Sequence, residues 1–147
     1  MVASVFVRPE VNKEMCAAVC HFAFDMLAAL VSHNGDYYDC PINLRISIDT
    51  GPIAVPGVNP TVPNRFFFHE LWGDAADLAS RMESMGIPDR IQVTQSVVEM
   101  VPEGEFQLDP RETVEVKGKG RLKTFYLKER LRSPARRFIR SKSMFFV

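Results

Sequence analysis

Apolar residues at Met15, Val19, Phe22, Met26 and Leu30 recur at spacings of three and four, which predicts an amphipathic helix over residues 12–31 with these side chains on one face. The polar stretch SHNGDYYDCP is expected to end it. Residues 43–50 then alternate Leu44, Ile46 and Ile48 against Arg45, Ser47 and Asp49, the period of a strand, and Gly51-Pro52 turns the chain. Pro56, Pro60 and Pro63 each remove a backbone donor, so residues 52–64 are expected to form a loop. Residues 65–71 return to strand character, with Phe66, Phe68 and Glu70 on one side.

Asp74 suits the N-cap of a second helix that runs to about Met85, carries Ala75, Leu78, Ala79 and Met82 on one side, and stops at Gly86 and Pro88. A short strand over 90–93, a brief helix capped by Thr94 and an extended stretch over 105–108 follow. Residues 113–116 and 123–127 then predict two strands of a closing hairpin around Gly118-Lys119-Gly120. Strands alternating with helices and ending in antiparallel strands point to an α+β sandwich, helices packed on a mixed sheet.

With 147 residues, 46% of them hydrophobic and 24% charged, the chain fits one globular domain. No uninterrupted apolar run has the length of a membrane span, and the first residues lack a basic leader, so a cytoplasmic location is expected. Cys16, Cys20 and Cys40 are odd in number and are expected to be buried thiols in a reducing compartment. The zero net charge is a balance of unlike parts. Residues 128–147 hold seven basic side chains and one acidic one, which leaves 11 basic and 17 acidic for residues 1–127. We expect residues 1–127 to be the folded domain and 128–147 a solvated, disordered basic tail, whose composition, with Phe138, Phe145 and Phe146, could touch anionic lipid, nucleic acid or the acidic body of another chain.

Three stretches carry a resemblance: LRISIDTGP at 44–52, ELWGDAADLASRMESMGIPDRIQVT at 70–94 and VEVKGKGRLKTFYL at 114–127. Together they resemble the class III adenylate and guanylate cyclases, in order and approximate spacing, across residues 14–127. The resemblance implies a truncated ferredoxin-like cyclase sandwich. It also implies conversion of ATP or GTP to a 3',5'-cyclic nucleotide and pyrophosphate by in-line attack of the ribose 3'-hydroxyl on the α-phosphorus, assisted by two metal ions. Members dimerise head to tail and build each active site from two chains. The partners implied are therefore a purine nucleoside triphosphate and a second cyclase domain, in a homodimer or heterodimer, with no nucleic acid.

Matched to the family's motif, Arg81 stands where an arginine stabilises charge on the reacting phosphate, a task for a permanently cationic planar donor. Lys117 matches the lysine that grips the terminal phosphates, and Gly118 and Gly120 let its turn tighten. Glu70 matches the base-reading position, and as a carboxylate acceptor it slightly favours the adenine amine. Asp77 stands at the position of a ribose-orienting asparagine. It adds negative charge near a triphosphate, and it can pair with Arg81 four residues on.

The family's Phe-x-Asp-x-x-Gly-Phe segment with its first metal aspartate, the hairpin with the second, and the base-selecting lysine near it find no match here. Asp25, Asp36, Asp39 and Asp49 are not expected to replace them, and Cys16, Cys20, His21 and Cys40 lack zinc spacing. Magnesium or manganese is therefore expected only at a composite site with a partner chain, and little activity is expected of the chain alone. A non-catalytic regulatory or dimerisation module, and a fragment of a longer cyclase on the cytosolic face of a membrane, stay open.

Overall fold

The computed structural model describes residues 13–51, 73–116, 118 and 120–131. The expected loop over 52–64 and strand over 65–71, with Glu70, lie outside the described residues, as do Lys117 and Lys119. The elements are α1 (Lys13–Asp36), β1 (Arg45–Ile48), α2 (Asp74–Ser84), β2 (Arg90–Thr94), α3 (Gln95–Met100), β3 (Phe106–Pro110), β4 (Val114–Val116), β5 (Gly120–Leu122) and β6 (Thr124–Arg130).

Four strands form one sheet in the order β1-β2-β6-β3. β1 and β2 are parallel, and α2 lies between them in sequence, while β6 runs antiparallel to both β2 and β3. Because side chains alternate along a strand, Ile91 and Val93 of β2 share a face with their partners Leu127 and Phe125 of β6. That face meets α1 and α3 in a core of Cys16, Ala17, Cys20, Ala23, Ile91, Val93, Val97, Val101, Phe106 and Leu127. The opposite parity carries a polar set. Gln92 donates to Thr124 Oγ1 at 3.2 Å, and Arg111 donates to Gln92 Oε1 at 2.9 Å and to the Met85 carbonyl at 3.2 Å, which ties the end of α2 to that face.

Several expectations are corrected. The residues of α1 that bury are Cys16, Ala17, Cys20, His21 and Ala23, whereas Phe22 of the expected stripe is 41% exposed. Small side chains let α1 approach the sheet closely, and this selects its inner face over the bulkier Met15–Leu30 row. α1 also continues through SHNGD to Asp36. By length and composition it could cross a membrane, yet its inner face belongs to the core. The N-cap of α2 is Gly73, and Asp74 occupies the first turn, where a carboxylate meets the positive end of the helix.

The expected closing hairpin does not form between 113–116 and 123–127. β4 pairs with β5 instead, in register Val116 to Gly120, as a separate two-stranded sheet, and β6 joins the main sheet. The positive φ values of Gly118 and Gly120, 81° and 78°, close the β4–β5 turn within three residues and leave Lys123 as the joint to β6. β6 reaches Arg130, so the first three residues of the expected tail are strand. Cys40 is exposed, unlike Cys16 and Cys20.

Candidate functional site

The α2 helix begins with two acids, Asp74 and Asp77, and carries Arg81 in its last turn. Met82 and Ala75 are buried and fix which side of α2 faces inward, so Asp77 and Arg81 lie on the outer side. Asp77 Oδ1 accepts a hydrogen bond from Arg81 Nε at 2.9 Å, and the side chains are 47% and 40% exposed. An exposed i,i+4 pair of this kind stabilises by about 0.3–0.5 kcal/mol, so exchanging Asp77 for another anion costs Arg81 little.

A Cβ placed on Gly118 would lie 3.8 Å from Arg81 Nη1. The glycine-flanked turn therefore comes up against the guanidinium, although 37 residues of sequence separate them. Gly118 follows Lys117 in sequence, and Lys117 itself lies outside the described residues. At the N-terminal end of α2, Gly51 approaches closely enough that a Cβ there would sit 3.2 Å from Ala75 Cβ, which seats the end of β1 beside the helix.

Three other carboxylates have partners of their own. Thr94 donates to Asp49 Oδ1 at 2.6 Å while its hydroxyl caps α3 by accepting from Val97 N at 3.4 Å. Asp25 pairs with Arg130, which also donates to the His21 carbonyl at 2.8 Å. Glu105 pairs with buried His21 Nε2 at 2.7 Å. Among the described residues no three His, Cys, Asp or Glu side chains gather where they could hold a metal ion. The hydrogen bond with Cys16 pushes the Cys20 thiol upward, and burial and the charge of Glu105 add to that effect.

The network of His21, Glu105, Asp25 and Arg130 was missed in the sequence, because its partners stand 84 and 105 residues apart with no local pattern joining them. His33, which carries no catalytic motif, stacks on Tyr37 with ring centroids 4.7 Å apart.

Comparison with known proteins decides the family. The description "Adenylate and Guanylate cyclase catalytic domain" matches residues 1–129. The chain belongs to that family. It is 40% identical over 130 residues to an adenylate cyclase of Mycobacterium bovis, covering 86% of this chain and 27% of that protein. It is 33% identical over 113 residues to the human guanylate cyclase soluble subunit beta-2, covering 77% of this chain and 18% of that one. The chain thus spans about a quarter or less of these relatives.

Among solved structures, the guanylate cyclase domain of RhGC from Catenaria anguillulae in complex with GTP superposes with a TM-score of 0.66 at 30% identity, covering 84% of this chain and 64% of that one. A rhodopsin-guanylyl cyclase core with converted specificity, in complex with ATPalphaS, gives 0.65 at 31% identity, covering 84% and 63%. The fold is that of the cyclase domains.

Proposed function

We propose that this cyclase-family chain supplies the phosphate-binding half of a nucleotidyl cyclase site that converts ATP or GTP to a 3',5'-cyclic nucleotide and pyrophosphate. The observation that carries this reading is the approach of Arg81 to the turn at Gly118, in a chain whose family is established. Arg81 exchanges Asp77 for phosphoryl oxygens and donates to the charge that builds in the transition state. Lys117, next to that turn, holds the terminal phosphates as a point charge, and Glu70 accepts from the base. One solved relative holds GTP and another, of converted specificity, ATPalphaS, so the family accommodates both bases and Glu70 sets the lean toward adenine here. The metal ligands come from outside the described residues, from a partner cyclase domain across a two-chain site, and by itself the chain turns over little. We place it in the cytoplasm, or on the cytosolic face of a membrane in a larger receptor.

The test mixes this chain with a cyclase domain that keeps its metal aspartates and lacks its own phosphate arginine. Cyclic nucleotide should appear on mixing and vanish with Arg81→Ala. Product that forms equally with Arg81→Ala removes the arginine from the chemistry. The Asp77–Arg81 pair favours one second reading, a regulatory or dimerisation module whose arginine is kept from nucleotide by its own carboxylate. Association with the partner that yields no product, while altering the turnover of an intact cyclase, would select it.

A further inference from the structure

The far end of α1 presents large apolar side chains to solvent. Val31 is 74% exposed, Tyr37 61%, Tyr38 78% and Ile42 49%, a concentration found nowhere else among the described residues. The backbone that carries Tyr37 to Ile42 is tied to the end of α1. Asn34 brackets Ile42, donating to its carbonyl at 2.8 Å and accepting from its N–H at 2.9 Å, while Tyr37 N donates to the His33 carbonyl at 2.9 Å and Cys40 N to the Tyr37 carbonyl at 3.2 Å. The last turns of α1 and the tied-down segment after it, with four large apolar side chains exposed and Asp36 and Asp39 among them in sequence, have the chemistry of a recognition surface for a cationic and aromatic segment.

The described chain leaves the fold on this same helix. Arg130 at the end of β6 pairs with Asp25, bonds the His21 carbonyl and lies with its guanidinium 5.2 Å from the Phe24 ring, and Leu131 N donates to the Glu105 carbonyl at 2.9 Å. From Asp25 to Asp36 is roughly 17 Å along a helix. Residues 132–147 can span up to about 50 Å when extended. They carry Arg132, Arg136, Arg137, Arg140 and Lys142 and no acid, together with Phe138, Phe145 and Phe146.

We infer that the surface formed by Val31, Tyr37, Tyr38 and Ile42 with Asp36 and Asp39 is the docking site of the chain's own residues 132–147. The exit point, the reach and the opposite charge select this occupant. The phenylalanines cover the tyrosines and Ile42, and the arginines pair with the aspartates or stack on the tyrosine rings.

Cys40 stands inside this surface as an exposed thiol, whereas Cys16 and Cys20 are buried, and it reports coverage directly. The rate of Cys40 alkylation by N-ethylmaleimide is measured by peptide mass spectrometry in the full chain. It is compared with Arg136→Glu/Arg137→Glu/Arg140→Glu and, separately, with Phe138→Ser/Phe145→Ser/Phe146→Ser. A surface covered about nine-tenths of the time makes the parent roughly tenfold slower than either variant. The parent rate should not change on dilution, and Cys16 and Cys20 should stay protected in all three proteins, which shows that the fold is kept. Equal rates in parent and variants overturn the inference. A parent rate that rises on dilution assigns the contact to a second copy and overturns the intrachain form. Cys40 left unprotected while residues 132–147 carry the protein onto phosphatidylserine vesicles overturns it in favour of lipid.

Discussion

Replacing Asp77 by asparagine removes one negative charge beside Arg81 and keeps the side chain's size. The substitution gives up an exposed i,i+4 ion pair worth about 0.3–0.5 kcal/mol, with an N···O distance of 2.9 Å and both side chains nearly half exposed. Against that stands the repulsion between the carboxylate and a phosphate bound to the same guanidinium. At a separation of ~4 Å it amounts to ~1 kcal/mol in water and ~4 kcal/mol at an effective dielectric near 20. The exposure of both side chains places the site near the aqueous end, so Asp77→Asn should bind a nucleoside triphosphate roughly fivefold more tightly, about 1 kcal/mol. Titration with ATP and with GTP, followed by calorimetry at 50 mM and 500 mM salt, measures this. The gap between the two proteins should shrink at the higher salt, where the Debye length falls well below the ~10 Å of 0.1 M solution. An unchanged or weaker affinity in Asp77→Asn would refute the electrostatic reasoning, and the absence of binding by either protein would remove the half-site altogether.

Two further outcomes follow from local geometry. Thr94→Ala loses both the cap of α3 and the hydroxyl bond to Asp49, and should lower stability by about 1–3 kcal/mol, seen as an earlier urea midpoint with an unchanged slope; a loss under ~0.5 kcal/mol would show the cap to be idle. Gly118→Ala forces a side chain into a positive-φ position 3.8 Å from Arg81 Nη1, and should cost about 1–2 kcal/mol and weaken triphosphate binding, whereas Gly35→Ala, which meets no atom within 4 Å, should leave binding alone.

Short-range signals in the sequence carried through to the structure. Thr94 caps α3, the strand at 90–93 is β2, and α2 ends at the Met85-Gly86 step, because each depends on a few neighbouring residues. Partner choice was not legible. The 123–127 segment has strand character, but nothing local tells it to leave β4 and lie between β2 and β3, since that choice rests on the apolar partners of Leu127, Ile91 and Leu108, that are remote in sequence. The inner face of α1 was misjudged for a related reason: spacing finds an apolar row, while the sheet selects the row of small residues that packs more closely. At the candidate site, the approach of the Gly118 turn to Arg81 emerged only with the fold, because 37 residues of sequence separate them.

The position of β6 has a consequence for how the domain forms. Its residues are the last of the four sheet strands to leave the ribosome, yet it sits between β2 and β3, with Leu127 paired to Ile91 and to Leu108. Until Thr124–Arg130 emerges, β2 and β3 have no common neighbour and α1 has only part of its floor. The nascent chain therefore waits with Ile91, Val93 and Phe106 uncovered, a window in which chaperone capture competes with self-association, and the sheet closes in one late step that joins regions synthesised well apart.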